Sequence, residues 1–210
     1  MTQRSLPADH FPSLPRQRLA GELGMWIFLA TEILFFGGLF AGYMVYRLQY
    51  PEAVLAAARH TDVLLGTVNT FILLTSSLLV ALAVTCQARP TLRLSRLFLG
   101  GAIVLGIAFM AVKAREYQID LKEGLTAWPG SSLPPGPQRL FFAFYWVMTG
   151  VHALHVIIGI FLLGYMLRDL RARPRLMRAT GRLEVAGLYW HFVDAIWIFL
   201  YPLLYLVGRA

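Results

Sequence analysis

Five stretches of this chain carry almost no charge over the length needed to cross a bilayer. A helix spanning the hydrocarbon core takes about 20 apolar residues. Leu23 to Tyr46 qualifies with a single charge, Glu32. The interval between Asp62 and Arg89 has none, and neither has the centre of the third stretch, from Leu97 to Val112. Leu140 to Leu167 is also uncharged, and Glu184 to Gly208 (EVAGLYWHFVDAIWIFLYPLLYLVG) contains no Lys or Arg. No alternation of period 2 competes with this pattern, which argues against a lipid-facing β-barrel. The reading is an all-α, polytopic membrane helix bundle with five transmembrane helices over residues 21–210. A short flexible tail, 1–20, precedes it and is broken by Pro7, Pro12 and Pro15. The tail has no apolar core followed by a small-residue cleavage site, so no removable signal peptide is expected.

Composition agrees. The chain is 58% hydrophobic, against roughly 45–50% in soluble domains. A single cysteine, Cys86, excludes an internal disulfide and any metal centre built on two thiolates. The formal charge of +8 is read as membrane topology, with no nucleic-acid partner, because basic residues mark the loops that stay in the cytoplasm. With the N-terminus inside, the cytoplasmic segments hold Arg4, Arg16, Arg18, Arg89, Arg93, Arg96, Arg168, Arg171, Arg173, Arg175, Arg178 and Arg182, 12 in all. The other side holds 7: Arg47, Arg59, Lys113, Arg115, Lys122, Arg139 and Arg209. The expected orientation is therefore N-terminus cytoplasmic and C-terminus periplasmic, with the basic ends of span three snorkelling outward. The longest loop (QIDLKEGLTAWPGSSLPPGPQ) is rich in Pro, Gly and Ser, which forbids helix over much of it. No internal repeat of the kind that builds many transporters is present.

Each ionisable residue inside a span needs a reason, since Asp at a helix centre costs about 2.5–3.5 kcal/mol even on a lenient insertion scale. His191 and Asp194 are i, i+3 neighbours on one face of span five, and Glu184 lies two turns before His191. They are expected to face protein, with Asp194 the partner of His191. In span four, Thr149, His152 and His155 stack at three-residue intervals. The two histidines fit either interhelical hydrogen bonding or a metal or haem role. Their i, i+3 spacing forbids both gripping one haem from opposite faces. Glu32 in span one has no cation on its own helix and reads either as a neutral hydrogen-bond donor or as a proton relay. Gly38 and Gly42 form a small-xxx-small pair for a close helix contact. Asn69, Thr70, Thr75 and Ser76 can hydrogen-bond neighbouring helices. Trp26, Trp146 and Trp190 read as interfacial anchors.

Several of these stretches together resemble subunit III of the haem–copper oxidases, the cytochrome c oxidase subunit III family. They are TEILFFGG in span one, VNTFILL in span two, AREY (Arg115, Glu116, Tyr117) ending span three, TGVHALHVIIG in span four and YWHFVDAIWIFLY in span five. The resemblance covers about Leu23 to Gly208 and corresponds to the short five-helix form, since mitochondrial-type members carry two further helices at the start. It implies a non-catalytic chain that binds no metal and holds no redox centre. Its partners would be oxidase subunit I, which carries the haems and copper, subunit II and membrane phospholipids, in a bacterial inner membrane. It implies a phospholipid-filled cleft faced by Glu32, with Arg168 at a lipid headgroup, and a role in sustaining oxygen-reducing turnover and proton uptake in a proton-pumping terminal oxidase. Asn69, Glu116, His152, His155, Glu184, His191 and Asp194 are the expected buried polar and interhelical residues. Many members follow TEILFF with a Trp; this chain reads GGLFAGY. The five-helix form also serves quinol oxidases and a relative associated with nitric oxide reductase. Two other classes compete: a membrane cytochrome ligated by His152, His155 and His191, and a transporter using Glu32 and Asp194.

Overall fold

The computed structural model describes residues 13–87 and 91–207, and its regular elements there are all helical. In chain order they are α1 (Leu14–Gln49), α2 (Pro51–Ala58), α3 (Val63–Cys86), α4 (Leu92–Lys122), α5 (Pro137–Ala172), α6 (Pro174–Thr180) and α7 (Arg182–Leu204). Five of them, α1, α3, α4, α5 and α7, are long and apolar enough to cross a membrane. The first, third and fourth expected spans lie wholly within α1, α4 and α5, whereas α3 ends at Cys86 and α7 at Leu204, a few residues short of the expected second and fifth. Residues 1–12 of the expected tail lie outside the described residues, as do Arg89, Gly208 and Arg209; Leu14 to Ala20 already belong to α1.

Local chemistry sets the breaks. The short helices α2 and α6 each open on a proline, Pro51 and Pro174. Proline is tolerated there because its missing N–H would be unpaired anyway. Asp62 caps α3 by accepting the Leu65 N–H at 3.1 Å. Between α6 and α7 the chain turns on Gly181, whose φ of 65° is left-handed.

Consecutive spans alternate in direction, so each end of the bundle gathers the same set of termini. The helices α3 and α4 pack as an antiparallel hairpin, and α7 touches α1, α3 and α5. In its most apolar stretch α7 is 56% buried, against 11% for α1. Thus α7 is the central helix and α1 the peripheral one. The buried Leu29, Phe36 and Tyr43 recur every second turn along a single narrow seam of α1. The rest of α1 is apolar and exposed, with Trp26, Ile33 and Leu34 on its outer surface.

Trp190 corrects the sequence reading. It is 1% exposed and no interfacial anchor. Its indole lies between Gly106 of α4 and Gly159 of α5, where an added Cβ would come within 2.9 and 2.8 Å of the ring. These glycines, rather than Gly38 and Gly42, admit the close approach. A Cβ on Gly38 would meet nothing within 4 Å among the described residues, and one on Gly42 would only touch Phe144 at ordinary contact distance.

Gly159→Ala should therefore lower stability by about 1–3 kcal/mol through overpacking, more than the roughly 0.5–1 kcal/mol a helix gains from losing a glycine. Gly150→Ala, on the same helix with open space around it, should be neutral or stabilising. Thermal unfolding in detergent compares the two, and equal midpoints would rule out the tryptophan slot.

Candidate functional site

Glu32 on α1 and His155 on α5 meet across the bundle, with Nε2 of His155 3.1 Å from a Glu32 carboxyl oxygen. The other ring nitrogen, Nδ1, lies 2.9 Å from the Val151 carbonyl. A carbonyl only accepts, so Nδ1 carries a hydrogen. Nε2 then either accepts a proton from a neutral Glu32 or, as an imidazolium, donates one to the carboxylate. In both cases one proton lies between the two residues. The partner that span one lacks is supplied by another helix. Phe36 packs its edge on the imidazole and Tyr189 donates its hydroxyl to the His155 carbonyl at 3.0 Å. The side chains keep 17% and 13% of their surface exposed, so the pair is neither sealed nor open.

Along the same seam α1 stands off from α5 and α7. Gln17 and Met25 of α1, Leu162 and Met166 of α5, Thr180 of α6 and Arg182 of α7 line a groove of about 500 Å³ there. Met25 and Leu162 lie two turns from Glu32 and His155 on the same helix faces, so the groove leads toward the pair. Arg168 is exposed near the end of α5 but is not part of this lining. The basic residue at the groove is Arg182, which also bonds Asp169 at 3.2 Å.

The other expected residues are separately placed. Glu184, in the first turn of α7, pairs with Arg18 of α1 and accepts from the Gln87 amide at 3.3 Å. It thus ties the ends of three helices, at a helix start that favours negative charge. His191 does not pair with Asp194. Its Nδ1 is 2.7 Å from the Ser77 hydroxyl of α3, because that short side chain projects from the helix that α7 packs against. Asn69 and His152 are buried, and none of their side-chain polar atoms has a hydrogen-bond partner among the described residues; Asp194 is buried beside the same Ser77. The His152 ring rests on Phe109 and Trp197. Ser76 does reach across, to the Ala102 carbonyl of α4 at 3.1 Å, and Thr70 accepts from the Trp197 indole at 3.0 Å. Thr75 bonds only its own helix. No group of three or more His, Cys, Asp or Glu side chains placed to hold a metal ion occurs among the described residues.

At the opposite end from Arg18, Glu116 belongs to a cluster the sequence reading missed. Lys113, expected to snorkel outward, is 1% exposed and turned inward. Its ammonium donates to Glu116 at 3.1 Å, Tyr145 at 3.1 Å and Tyr205 at 2.6 Å. Tyr205 in turn donates to Glu116 at 2.7 Å, and the Tyr145 hydroxyl lies 2.8 Å from both Glu116 and Asp120. The signal was the spacing Lys113, Glu116, Asp120, one charged residue per turn on one face. Lys113→Met should destabilise the chain by about 3–5 kcal/mol by stranding a buried carboxylate. Adding Glu116→Gln should restore part of that loss. Thermal midpoints of the single and double variants measure both, and a harmless single variant would contradict the burial of Lys113.

Comparison with known proteins now adds the family. The profile of the family "Cytochrome c oxidase subunit III" matches residues 16–209. Cytochrome c oxidase subunit 3 of Thermostichus vulcanus is 33% identical over 98% of this chain and 94% of its own length. Quinol oxidase subunit 3 of Bacillus spizizenii is 32% identical over 89% of this chain and 86% of its own. Heme-copper oxidase subunit I+III of Aeropyrum pernix is 33% identical over 95% of this chain, which spans only 24% of that longer protein. With five helices fit to cross a membrane and a match over nearly the whole sequence, the chain is a multi-pass membrane protein belonging to the cytochrome c oxidase subunit III family.

Proposed function

We propose that this chain is the non-catalytic third subunit of a proton-pumping haem–copper terminal oxidase in a bacterial inner membrane. There it lies against subunit I, with subunit II completing the complex, and sustains oxygen-reducing turnover. The observation that carries the partnership is the relative from Aeropyrum pernix, whose name joins subunits I and III in one protein. Haems and copper belong to subunit I in this reading, and the present chain supplies lipid binding and proton handling. The largely apolar groove of about 500 Å³ between α1, α5 and α7 takes a phospholipid tail, and Arg182 at its lining meets the headgroup. Arg168 is exposed nearby on α5 and serves headgroups at the bundle surface. The Glu32–His155 pair sits further along that seam and passes a proton in support of uptake at the oxygen-reducing subunit.

The orientation follows the charge census, with 12 basic residues inside and 7 outside. One of those 7, Lys113, is neutralised within the protein, so the outer surface carries less basic charge than the count alone gives. The N-terminus is cytoplasmic and the C-terminus periplasmic.

A tagged chain purified from native membranes should bring down a large haem-containing subunit, with oxygen consumption supported by reduced cytochrome c or by quinol. Both donors are assayed because relatives named for each are equally similar to this chain. Recovery of the chain without any haem protein would overturn the proposal. In the assembled complex, Glu32→Gln should keep the haem spectrum and the subunit composition. It should shorten severalfold the number of turnovers completed before the enzyme inactivates. An unchanged turnover lifetime would remove Glu32 from the mechanism while leaving the subunit assignment standing.

A further inference from the structure

The Lys113 cluster obeys a donor count that fixes one more proton than its charges suggest. The three ammonium hydrogens of Lys113 are used on Glu116, Tyr145 and Tyr205. The single hydroxyl hydrogen of Tyr205 goes to Glu116. Tyr145 has one hydrogen but stands 2.8 Å from a carboxyl oxygen of Glu116 and 2.8 Å from one of Asp120. One of these two oxygen–oxygen contacts needs a hydrogen from the carboxyl side, because a phenol donates only once and two bare oxygens repel. Glu116 faces the Lys113 ammonium and already accepts from Tyr205, so it is the ionised partner. Asp120 is then the acid, donating to the Tyr145 oxygen. The trio Lys113, Glu116 and Asp120 becomes neutral as a whole, which a buried site of this kind requires.

We propose that Asp120 is a proton-binding site, protonated in the folded chain at a pH where a free aspartate is ionised and exchanging that proton with water at this end of the bundle. The access route is an open cleft of about 400 Å³ that Asp120 and Glu116 line together with His60, Thr61, Asp62 and Glu123. The titratable groups around Asp120 are Lys113, Glu116, Tyr117 and Glu123 on α4, Tyr145 on α5 and Tyr205 after α7. The link between α2 and α3 contributes His60 and Asp62. When pH rises and the proton leaves to water in the cleft, a second negative charge appears beside Glu116. Tyr145 must then turn its only hydrogen to one carboxylate and leave the other without it. This site lies at the end of the bundle away from Arg18 and Glu184, and it does not involve Glu32 or His155.

Infrared spectroscopy of the full chain, in the assembly with which it purifies and with 13C-labelled aspartate, tests the proposal. At mildly acid pH, where a free aspartate is already ionised, the wild type should show an isotope-shifted carboxylic-acid C=O band that disappears on raising the pH and is missing from Asp120→Asn. The comparison with Asp120→Asn separates this band from any contribution of Asp194. An asparagine amide donates to the Tyr145 oxygen as the acid does, so Asp120→Asn should keep the wild-type thermal midpoint at acid pH, where the aspartate is protonated folded and unfolded alike. It should lose part of the decline that the wild type shows as pH rises from about 4, where only the unfolded aspartate ionises. Identical acid bands in wild type and Asp120→Asn would show Asp120 to be ionised and would overturn the proposal. Should Asp120→Asn fail to accumulate, Tyr145→Phe serves instead. Removing the acceptor of the Asp120 proton should shift the acid band, and an unshifted band counts against the site.

Discussion

Lys113 has three ammonium hydrogens and a buried position on α4. Left alone in hydrocarbon it would be expelled toward the interface, and α4 would have to move with it. It stays because Glu116, Tyr145 and Tyr205 take one hydrogen each. Those acceptors come from α4, α5 and the residue just beyond α7, so satisfying one cation fixes the relative height of three helices. The rest of the bundle inherits that register. Trp190 can enter its slot between Gly106 and Gly159 only if α4, α5 and α7 are already level. Its ring then displaces nothing, because both facing positions lack a Cβ.

The other end is closed by a looser arrangement. Arg18, Glu22, Glu184 and Gln87 bridge α1, α7 and the end of α3, and Arg182 reaches Asp169. Arg18, Glu22, Glu184 and Arg182 are substantially exposed, while Gln87 and Asp169 are more enclosed; ion pairs with such exposed members contribute on the order of 0–1 kcal/mol. One end of the bundle is thus locked by buried charge, and the other is only tethered. The apolar groove beside α1 lies toward the tethered end, where separating helices costs least.

Much of this was legible beforehand. Uncharged runs of membrane length marked all five long helices, because in lipid a backbone has little choice but to satisfy itself as helix. The motif order pointed to the family, and His155 and Glu32 were both marked before anything indicated that they meet. What remained hidden depends on the rotation of helices about their axes, which hydrophobicity cannot report when every face is apolar. Trp190 resembles an interfacial tryptophan by its position near a span start, and only the two glycines opposite reveal a buried one. His191 and Asp194 share a face of α7, yet the nearer partner of His191 is Ser77, a residue on another helix that spacing along α7 cannot identify. Lys113 is the instructive miss. Counting it as a loop charge obscured the three-and-four spacing to Glu116 and Asp120, which marks a charged stripe on a helix otherwise fit for lipid.

The same reasoning explains how a helix as peripheral as α1 stays in place. Its buried seam is narrow, and its outer face gains nothing from other helices of this chain. Near the locked end, Tyr43 and Tyr46 anchor it by donating to the Leu203 and Pro137 carbonyls at 2.7 Å each. Near the tethered end Arg18 joins it to Glu184 by charge. Between these points Glu32 meets His155. If α1 swung outward at mid-height, Glu32 would be left among acyl chains without a partner. On an insertion scale an isolated acidic side chain there costs about 2.5–3.5 kcal/mol, more than the small apolar seam can readily offset. The pair therefore holds α1 at mid-height, between the tyrosine contacts at one end and the Arg18–Glu184 ion pair beside the groove at the other.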